Sequence, residues 1–299
     1  MTITELKYIV ALAKEQHFGR AAQRVFVSQP TLSIGVKKLE DELGVRIFER
    51  LSNKVIPTQT GARIIEAAKQ TLMSTDVIRS IAEATRGKLS GDVKLGAIYT
   101  VCPYLLPKII PDLQEAAPDI RLYVEENYTK NLMDSLKDGS LDIAIISLPI
   151  GKSNLFEVKP IFEEDFYVVL PQGHRLANQP TISIDDLTEE RVFLLGGGNC
   201  FRDQVLQACP NCLPDDKEEL PLIQGGSLET FRMMVAGRLG ISIFPKMALT
   251  HNDNANEGNI CVRPFSAPVP KRQIALAWRK SFAQKDIIDA VEASILRCR

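Results

Sequence analysis

The segment Val27-Ser28-Gln29-Pro30-Thr31-Leu32-Ser33 decides how the N-terminal region is interpreted. Ser28 is a good helix N-cap, and Pro30 falls in the first turn, where its missing N–H costs nothing. The helix that begins here has apolar residues at helical spacing and ends before Gly44, which suits a helix C-terminus. The segment therefore predicts the start of a short, well-delimited helix.

Two shorter helices precede this one, around residues 6–13 and 21–25, and a tight turn at residues 26–28 separates it from the second. This order is typical of a helix-turn-helix, whose second helix lies in the DNA major groove with its first turns facing base edges. Residues 50–55 predict a tight β-turn between two short strands, which would form a wing. A helical hairpin whose polar residues face water would give the same pattern, so helix spacing alone does not establish DNA binding.

The charge distribution fits the DNA-binding alternative, although a net charge of +5 also fits an ordinary solvated surface. Residues 1–90 carry 14 Lys and Arg against 9 Asp and Glu, whereas the rest of the chain carries 22 against 28. A basic N-terminal region on an acidic body fits a nucleic-acid module joined to another domain. Polar side chains would bond base edges or the DNA backbone, and basic ones would neutralise phosphates. The expected DNA-binding residues are Ser28, Gln29, Pro30, Thr31, Ser33, Lys37, Arg50 and Lys54.

A long helix follows this region. From residue 59 to about residue 86 there is no proline and one glycine, Gly61. Such a helix would be about 40 Å long at 1.5 Å per residue. Its apolar stripe is narrow, which favours packing against a partner helix. We therefore predict a DNA-binding domain at residues 1–58 and a linker and dimerisation helix at residues 59–90.

Strands alternate with helices in the remaining 91–299 region. Two successive β-α-β-α-β patterns predict parallel strands with right-handed crossovers. We expect an α/β regulatory domain of two lobes, residues 91–163 with 269–299, and residues 164–268. Two such lobes leave a cleft between them, which is the usual place for a small-ligand site.

Length and composition exclude several classes of protein. A chain of 299 residues, 45% of them hydrophobic, can bury a core without disulfides or a structural metal. The longest nearly apolar stretch, residues 143–150, is far shorter than the roughly 18 residues that span a bilayer. The N-terminus lacks the basic start, apolar core and cleavage site of a secretion signal, which argues against a secreted solute-binding protein. We therefore expect a cytoplasmic protein with no membrane partner.

The N-terminal motifs together resemble those of LysR-type transcriptional regulators. The resemblance rests on the 27–33 segment together with Ala21-Ala22, Leu39-Glu40, Leu43-Gly44, Phe48, Arg50, Thr58 and Gly61. It continues through the whole chain. It implies a winged helix-turn-helix, a long linker helix that dimerises, and a two-lobed effector domain like a type 2 periplasmic binding protein. The implied partners are promoter DNA, RNA polymerase and further copies of the chain, as a homodimer or homotetramer.

One of the six cysteines occupies a distinctive position. The segment Gly198-Asn199-Cys200 places a thiol in a glycine-rich loop directly before a predicted helix. Backbone N–H groups there and nearby Arg202 would favour the thiolate, which is the form that attacks peroxide. Cys209 lies nine residues further on, and a disulfide needs Cα atoms within about 7 Å. Joining the two would require the helix to unwind. A disulfide that can form only when a segment refolds acts as a switch.

This region resembles the hydrogen-peroxide-sensing members of the family. The resemblance includes Tyr99-Thr100-Val101, residues 103–107, Thr129, residues 227–230 and Cys261. It implies an activator of oxidative-stress genes in which Cys200 is oxidised to sulfenic acid and Cys209 is the resolving thiol. It also implies that Thr100, Thr129 and Asp203 hold peroxide or assist proton transfer.

Two residues depart from that pattern. Asn199 stands where the best-known members have histidine, and asparagine cannot transfer a proton near neutral pH. Cys212 creates a C-x-x-C with Cys209, which could be a thioredoxin-like redox pair, part of a zinc site, or an extra thiol competing with Cys209. The pair closes a predicted helix and no second ligand pair lies nearby, so we expect the extra thiol and no bound metal or cofactor.

Two other functions remain open at this point. A regulator of the same family could respond to a metabolite between the lobes, with incidental cysteines. An enzyme, such as a thiol peroxidase, would use the C-x-x-C but would leave the first 60 residues without a purpose. We therefore expect a regulator rather than an enzyme.

Overall fold

The computed structural model describes residues 1–51, 54–84, 89–151, 153–210, 224–249 and 259–298. Contacts within the chain divide it into two units, Met1–Arg86 and Gly87–Arg299. None of the helices in these ranges combines the length and apolar character that a bilayer span requires.

The N-terminal unit is a set of helices followed by a two-stranded wing and one long helix. Its elements are α1 (Ile3–Glu15), α2 (Phe18–Arg24), α3 (Gln29–Leu43), β1 (Phe48–Arg50), β2 (Val55–Pro57) and α4 (Gln59–Ala84). The two strands are antiparallel, with Phe48 opposite Pro57. Gly61 has no room for a side chain, because a Cβ would lie 1.9 Å from the Ile47 carbonyl oxygen. This close contact holds the start of α4 against the wing.

Helix α3 forms as the sequence predicts. The Ser28 hydroxyl accepts a hydrogen bond from the Thr31 N–H at 3.3 Å, and Gly44 ends the helix with a φ of 68°. Gly35 packs against the ring of Tyr8, where a Cβ would lie 2.6 Å from the ring. The core-facing residues Leu32, Val36 and Leu39 are fully buried or nearly so. The opposite side of α3 therefore faces solvent.

The C-terminal unit is a mixed sheet covered by helices. Its strands are β3 (Ser90–Ile98), β4 (Asp119–Asn127), β5 (Ile143–Leu148), β6 (Phe156–Pro171), β7 (Val192–Leu195), β8 (Gln224–Gly225), β9 (Ile241–Pro245), β10 (Ile260–Pro264) and β11 (Lys271–Arg279). Its α-helices are α5 (Cys102–Ala116), α6 (Thr129–Asp138), α7 (Cys200–Ala208), α8 (Leu228–Ala236) and α9 (Lys285–Cys298). The strand order is β4-β3-β5-β11-β6-β9-β7-β8, with β10 paired to β6.

Two hydrophobic cores define two lobes within this unit. The first core lies around β3, β5, β11, α5 and α9, and the second lies around β7, β9, α7, α8 and the end of β6. Strand β6 belongs to both, since residues 156–165 pair with β11 and residues 166–169 pair with β9. In the first lobe β4, β3 and β5 are parallel, as predicted.

The sequence missed two parts of this sheet. Strand β6 begins at Phe156, and Pro160 and the acidic run Glu163-Glu164-Asp165 hide the strand pattern of its first half in the sequence. Strand β10 was not predicted, because its five residues mix apolar side chains with Arg263 and Pro264. Both segments are strands because they pair with distant partners.

Candidate DNA-reading helix and redox site

The outward side of α3 presents most of the expected DNA-binding residues. Gln29, Pro30, Thr31 and Lys37 are exposed, and Ser33 is half-buried. The hydroxyls of Ser28 and Thr31 lie 2.7 Å apart in the helix cap. Ser28 thus shapes the first turn, and the exposed side chains that follow it are free to meet a duplex.

The wing places a further cation beside α2. The Arg50 guanidinium lies over the ring of Phe18, 4.7 Å from its centroid, and Arg50 and Lys54 are both exposed. Arg50 forms no ion pair with the described residues, so its charge is available to contact a DNA phosphate.

Cys200 lies where the two lobes meet. It is the first residue of α7, and the Asn199 side chain caps that helix by accepting a hydrogen bond from the Phe201 N–H at 3.0 Å. Asn199 is 5% exposed. The half-buried Cys200 belongs to a helix of the second lobe but packs against the core of the first. Asn199 therefore acts as a helix cap, a role that its inability to transfer protons does not affect.

Gln204 fastens α7 to the first lobe. Its Nε2 donates to the Ser147 hydroxyl at 2.9 Å and to the Leu148 carbonyl at 2.8 Å, at the end of β5. Its Oε1 is buried without a hydrogen-bond partner among the described residues. Cys200 is one helical turn before this attachment, so Gln204 helps hold the thiol between the lobes.

Thr100 and Thr129 follow two neighbouring parallel strands at corresponding positions. Ile98 of β3 is opposite Asn127 of β4, and each threonine comes two residues later. The rings of Tyr99 and Tyr128, which directly precede the threonines, are 4.9 Å apart. The Thr129 Oγ1 is buried and has no hydrogen-bond partner within the described part of the chain. A buried hydroxyl of this kind is available to bind a small polar molecule.

Arg272 is a buried site residue that the sequence did not reveal. Its Nε donates to Glu164 Oε1 at 2.6 Å, and its Nη1 donates to the Thr100 hydroxyl at 2.7 Å. Its guanidinium also lies 5.3 Å from the centroid of the Phe201 ring, next to Cys200. Arg272 thus connects the threonine loop to α7. No local signal in the sequence singles it out, because both strands carry further charged residues, such as Glu163 and Lys271.

Two further residues of α7 were assigned to this site from the sequence. Arg202 was expected to favour the Cys200 thiolate, but its Nη1 donates to the Leu195 carbonyl at 2.9 Å. Asp203, which was expected to assist proton transfer, is exposed on α7. Thr100, Arg272 and the Thr129 Oγ1 are buried, whereas Asp203 is not.

Cys200 and Cys209 are not joined in this structure. Cys200 is a free thiol, as are Cys102, Cys261 and Cys298. Cys209 is 1% exposed at the end of α7 and is disulfide-bonded. Cys212 lies outside the described residues, so its expected role is not addressed by the structure.

Cys102 is a buried thiol near a carboxylate. Burial, together with the nearby carboxylate of Glu126, raises the pKa of Cys102 to about 11. It is therefore a thiol at neutral pH and a poor nucleophile. The residues that the structure describes contain no cluster of three or more His, Cys, Asp and Glu side chains able to hold a metal ion.

Known protein families match most of the chain. Residues 3–62 match the bacterial regulatory helix-turn-helix protein, lysR family, and residues 86–296 match the LysR substrate binding domain. These matches and the mixed α/β structure confirm the predicted fold class.

Individual proteins agree with the family models. A hydrogen peroxide-inducible genes activator from Dickeya chrysanthemi is 40% identical over 279 residues, which are 93% of this chain and 90% of that protein. A full-length OxyR of Pseudomonas aeruginosa, with one cysteine replaced by aspartate, is 47% identical with a TM-score of 0.82, covering 100% of this chain and 95% of that one. A cysteine-to-serine mutant of Corynebacterium glutamicum OxyR, bound to hydrogen peroxide, is 29% identical with a TM-score of 0.66, covering 99% and 92%. The chain therefore belongs to the LysR family of bacterial transcriptional regulators.

Proposed function

We propose that this protein is a DNA-binding transcriptional activator of oxidative-stress genes that senses hydrogen peroxide through Cys200. The observation that carries this proposal is the position of the Cys200 thiol, at the start of α7 and against the core of the opposite lobe. The buried, unpartnered hydroxyl of Thr129 and the names of the peroxide-responsive relatives support it.

The first step is the oxidation of Cys200. Its thiolate attacks one peroxide oxygen, the O–O bond breaks, and the products are Cys200 sulfenic acid and hydroxide. The Thr129 hydroxyl can donate to peroxide. Thr100, held by Arg272, can position it, and a proton from solvent near the exposed Asp203 neutralises the leaving hydroxide.

The second step forms a disulfide. Cys209 is disulfide-bonded in this structure, so a dithiol reductant must first exchange with that bond, becoming a disulfide itself and leaving Cys209 as a thiol. The Cys209 thiol then attacks the sulfur of the sulfenic acid, which forms the Cys200–Cys209 bond and releases water. Nine residues of α-helix span about 13 Å, roughly twice the Cα separation of a disulfide, so α7 must unwind. That unwinding would break the Gln204 attachment to the first lobe and change how the lobes pair.

The rest of the proposal concerns the assembly. We infer that α3 and the wing bind promoter DNA, that α4 pairs with a second copy, and that the working form is a tetramer that contacts RNA polymerase in the cytoplasm. The protein is a switch and not an enzyme, because each oxidation consumes Cys200 until the disulfide is reduced.

Peptide mapping tests the redox mechanism. The full-length protein is reduced with dithiothreitol, freed of reductant, pulsed with one equivalent of peroxide and alkylated. We expect a Cys200–Cys209 linkage, and none in Cys200→Ser, while Cys261→Ser behaves as the wild type. A Cys200–Cys212 linkage would replace Cys209 as the resolving residue. Complete alkylation of Cys200 would overturn peroxide sensing and leave the metabolite-responsive alternative.

A further inference from the structure

Ile34 is an apolar side chain in an unusual place. It is 68% exposed, although isoleucine is among the residues most often found inside proteins. It lies in the second turn of α3, two residues from each of the buried Leu32 and Val36. At about 100° per residue, this spacing turns Ile34 directly away from the core.

The exposed side chains around Ile34 have the character expected of a surface that enters a DNA groove. Pro30, one turn before it, and Lys37, about one turn after it, are both exposed on the same side. Lys37 offers a cation to a phosphate, whereas Ile34 has no group that can form a hydrogen bond. In the major groove the apolar group displayed by the base pairs is the C5-methyl of thymine. An outward isoleucine among polar and basic residues therefore fits a duplex that presents a thymine methyl.

We propose that Ile34 determines part of the operator sequence by packing against a thymine methyl group in the major groove. The proposal rests on DNA binding by α3, which is part of the proposed function. It assigns to one side chain a preference for T·A over the other base pairs at one position of each half-site.

Deoxyuridine gives a direct test, because it lacks the thymine methyl and keeps the same hydrogen-bonding groups. Full-length reduced protein is first used to select duplexes from a random library. Each thymine of the selected site is then replaced in turn by deoxyuridine, and affinity is measured by fluorescence anisotropy at fixed salt. For the wild type, we expect one position per half-site at which the loss of the methyl weakens binding about fourfold, as for one buried carbon.

The variant Ile34→Ala should bind the parent site about as weakly as the wild type binds the deoxyuridine site, and should no longer distinguish the two. Ile3→Ala is the matched control. Ile3 is 40% exposed, and the amino group of Met1, two residues before it, pairs with Glu42 at the far end of α3. This control should keep the full discrimination.

The outcomes separate the two proposals. Enrichment of a site in which no deoxyuridine weakens wild-type binding would overturn the role of Ile34 alone. Discrimination between thymine and deoxyuridine that persists in Ile34→Ala would do the same. So would an Ile34→Ala variant whose oligomeric mass in light scattering changes while its base preference stays the same. Failure to enrich any sequence would instead overturn sequence-specific DNA binding itself.

Discussion

At the residue scale, the two threonines of the redox site differ in how their hydroxyls are satisfied. Thr100 accepts a hydrogen bond from buried Arg272, whereas the buried Thr129 Oγ1 has no partner among the described residues. A buried polar group without a partner costs free energy, and a group whose partner is removed costs about 1–3 kcal/mol. The two hydroxyls should therefore respond oppositely to the same substitution.

Thr129→Val should keep or raise the melting temperature of the reduced protein while slowing Cys200 oxidation about 10- to 100-fold, because it removes a donor to peroxide. Thr100→Val is the comparison. It leaves one Arg272 donor buried without its acceptor, so it should lower stability by about 1–3 kcal/mol. Oxidation rates from rapid-quench alkylation and thermal unfolding check both. A lower melting temperature in Thr129→Val with an unchanged oxidation rate would contradict the assignment.

Cys102 provides a pH-dependent prediction. Its pKa is raised from 9.0 to about 11 by burial and by Glu126. A group whose pKa is higher in the folded than in the unfolded protein contributes stability at pH values below its unfolded pKa. This contribution is lost as the pH rises from about 9 towards 11. At pH 8 iodoacetamide should label Cys102 far more slowly in the native protein than in urea. Equal labelling rates in both states, measured by mass spectrometry, would show that the thiol is not buried.

At the element scale, α7 combines two opposite attachments. Its first residue, Cys200, packs on the first lobe, and Phe201 and Val205 pack in the second. The helix has nine residues, which is too short to be stable by itself in water. Its stability must come from these contacts, the Asn199 cap and the Gln204 attachment.

Oxidation should therefore unfold α7 and leave neighbouring helices intact. We expect amide hydrogen exchange in residues 202–208 to rise at least about tenfold after peroxide treatment, because local unfolding exposes helical amides. The α9 amides serve as the internal reference, and Cys200→Ser should show no rise. Unchanged exchange in an oxidised sample with a mapped Cys200–Cys209 bond would rule out unwinding.

The elements that sequence reasoning predicted are those with local signals. Ser28 and Gly44 delimit α3 through contacts within a few residues, and strand β5 of the first lobe is a nearly continuous apolar run. Arg272 and Glu164 were missed because they are 108 residues apart and meet only in the sheet. Gln204 and Ser147 are likewise 57 residues apart. Long-range polar partners leave no periodic pattern in a sequence.

At the scale of the whole regulatory unit, β6 is the strand that both lobes share. Glu164 and Arg272 pair near the point where β6 passes from β11 to β9, with side chains 4% and 0% exposed. Glu164 also accepts from the Met247 N–H at 3.0 Å. One buried ion pair therefore links both halves of the sheet and the Thr100 loop.

Glu164→Gln should lower the free energy of unfolding by about 3–5 kcal/mol, because it leaves the Arg272 charge buried and unpaired. Glu163→Gln is the matched control, since Glu163 forms an exposed pair with Lys271 whose loss should leave stability nearly unchanged. Urea denaturation of both variants measures the difference. Equal midpoints would mean that the buried pair has no special role in stability.

In the proposed mechanism, the low intrinsic stability of α7 also sets how much peroxide the cell must accumulate before its genes respond. The proposed Cys200–Cys209 bond forms only when the nine residues of α7 unwind. A substitution at an exposed α7 position, such as Gln207, can therefore raise or lower the required peroxide concentration without altering the thiol chemistry. Related bacteria that live under different oxidant loads could therefore adjust the peroxide concentration that triggers the response through surface substitutions alone.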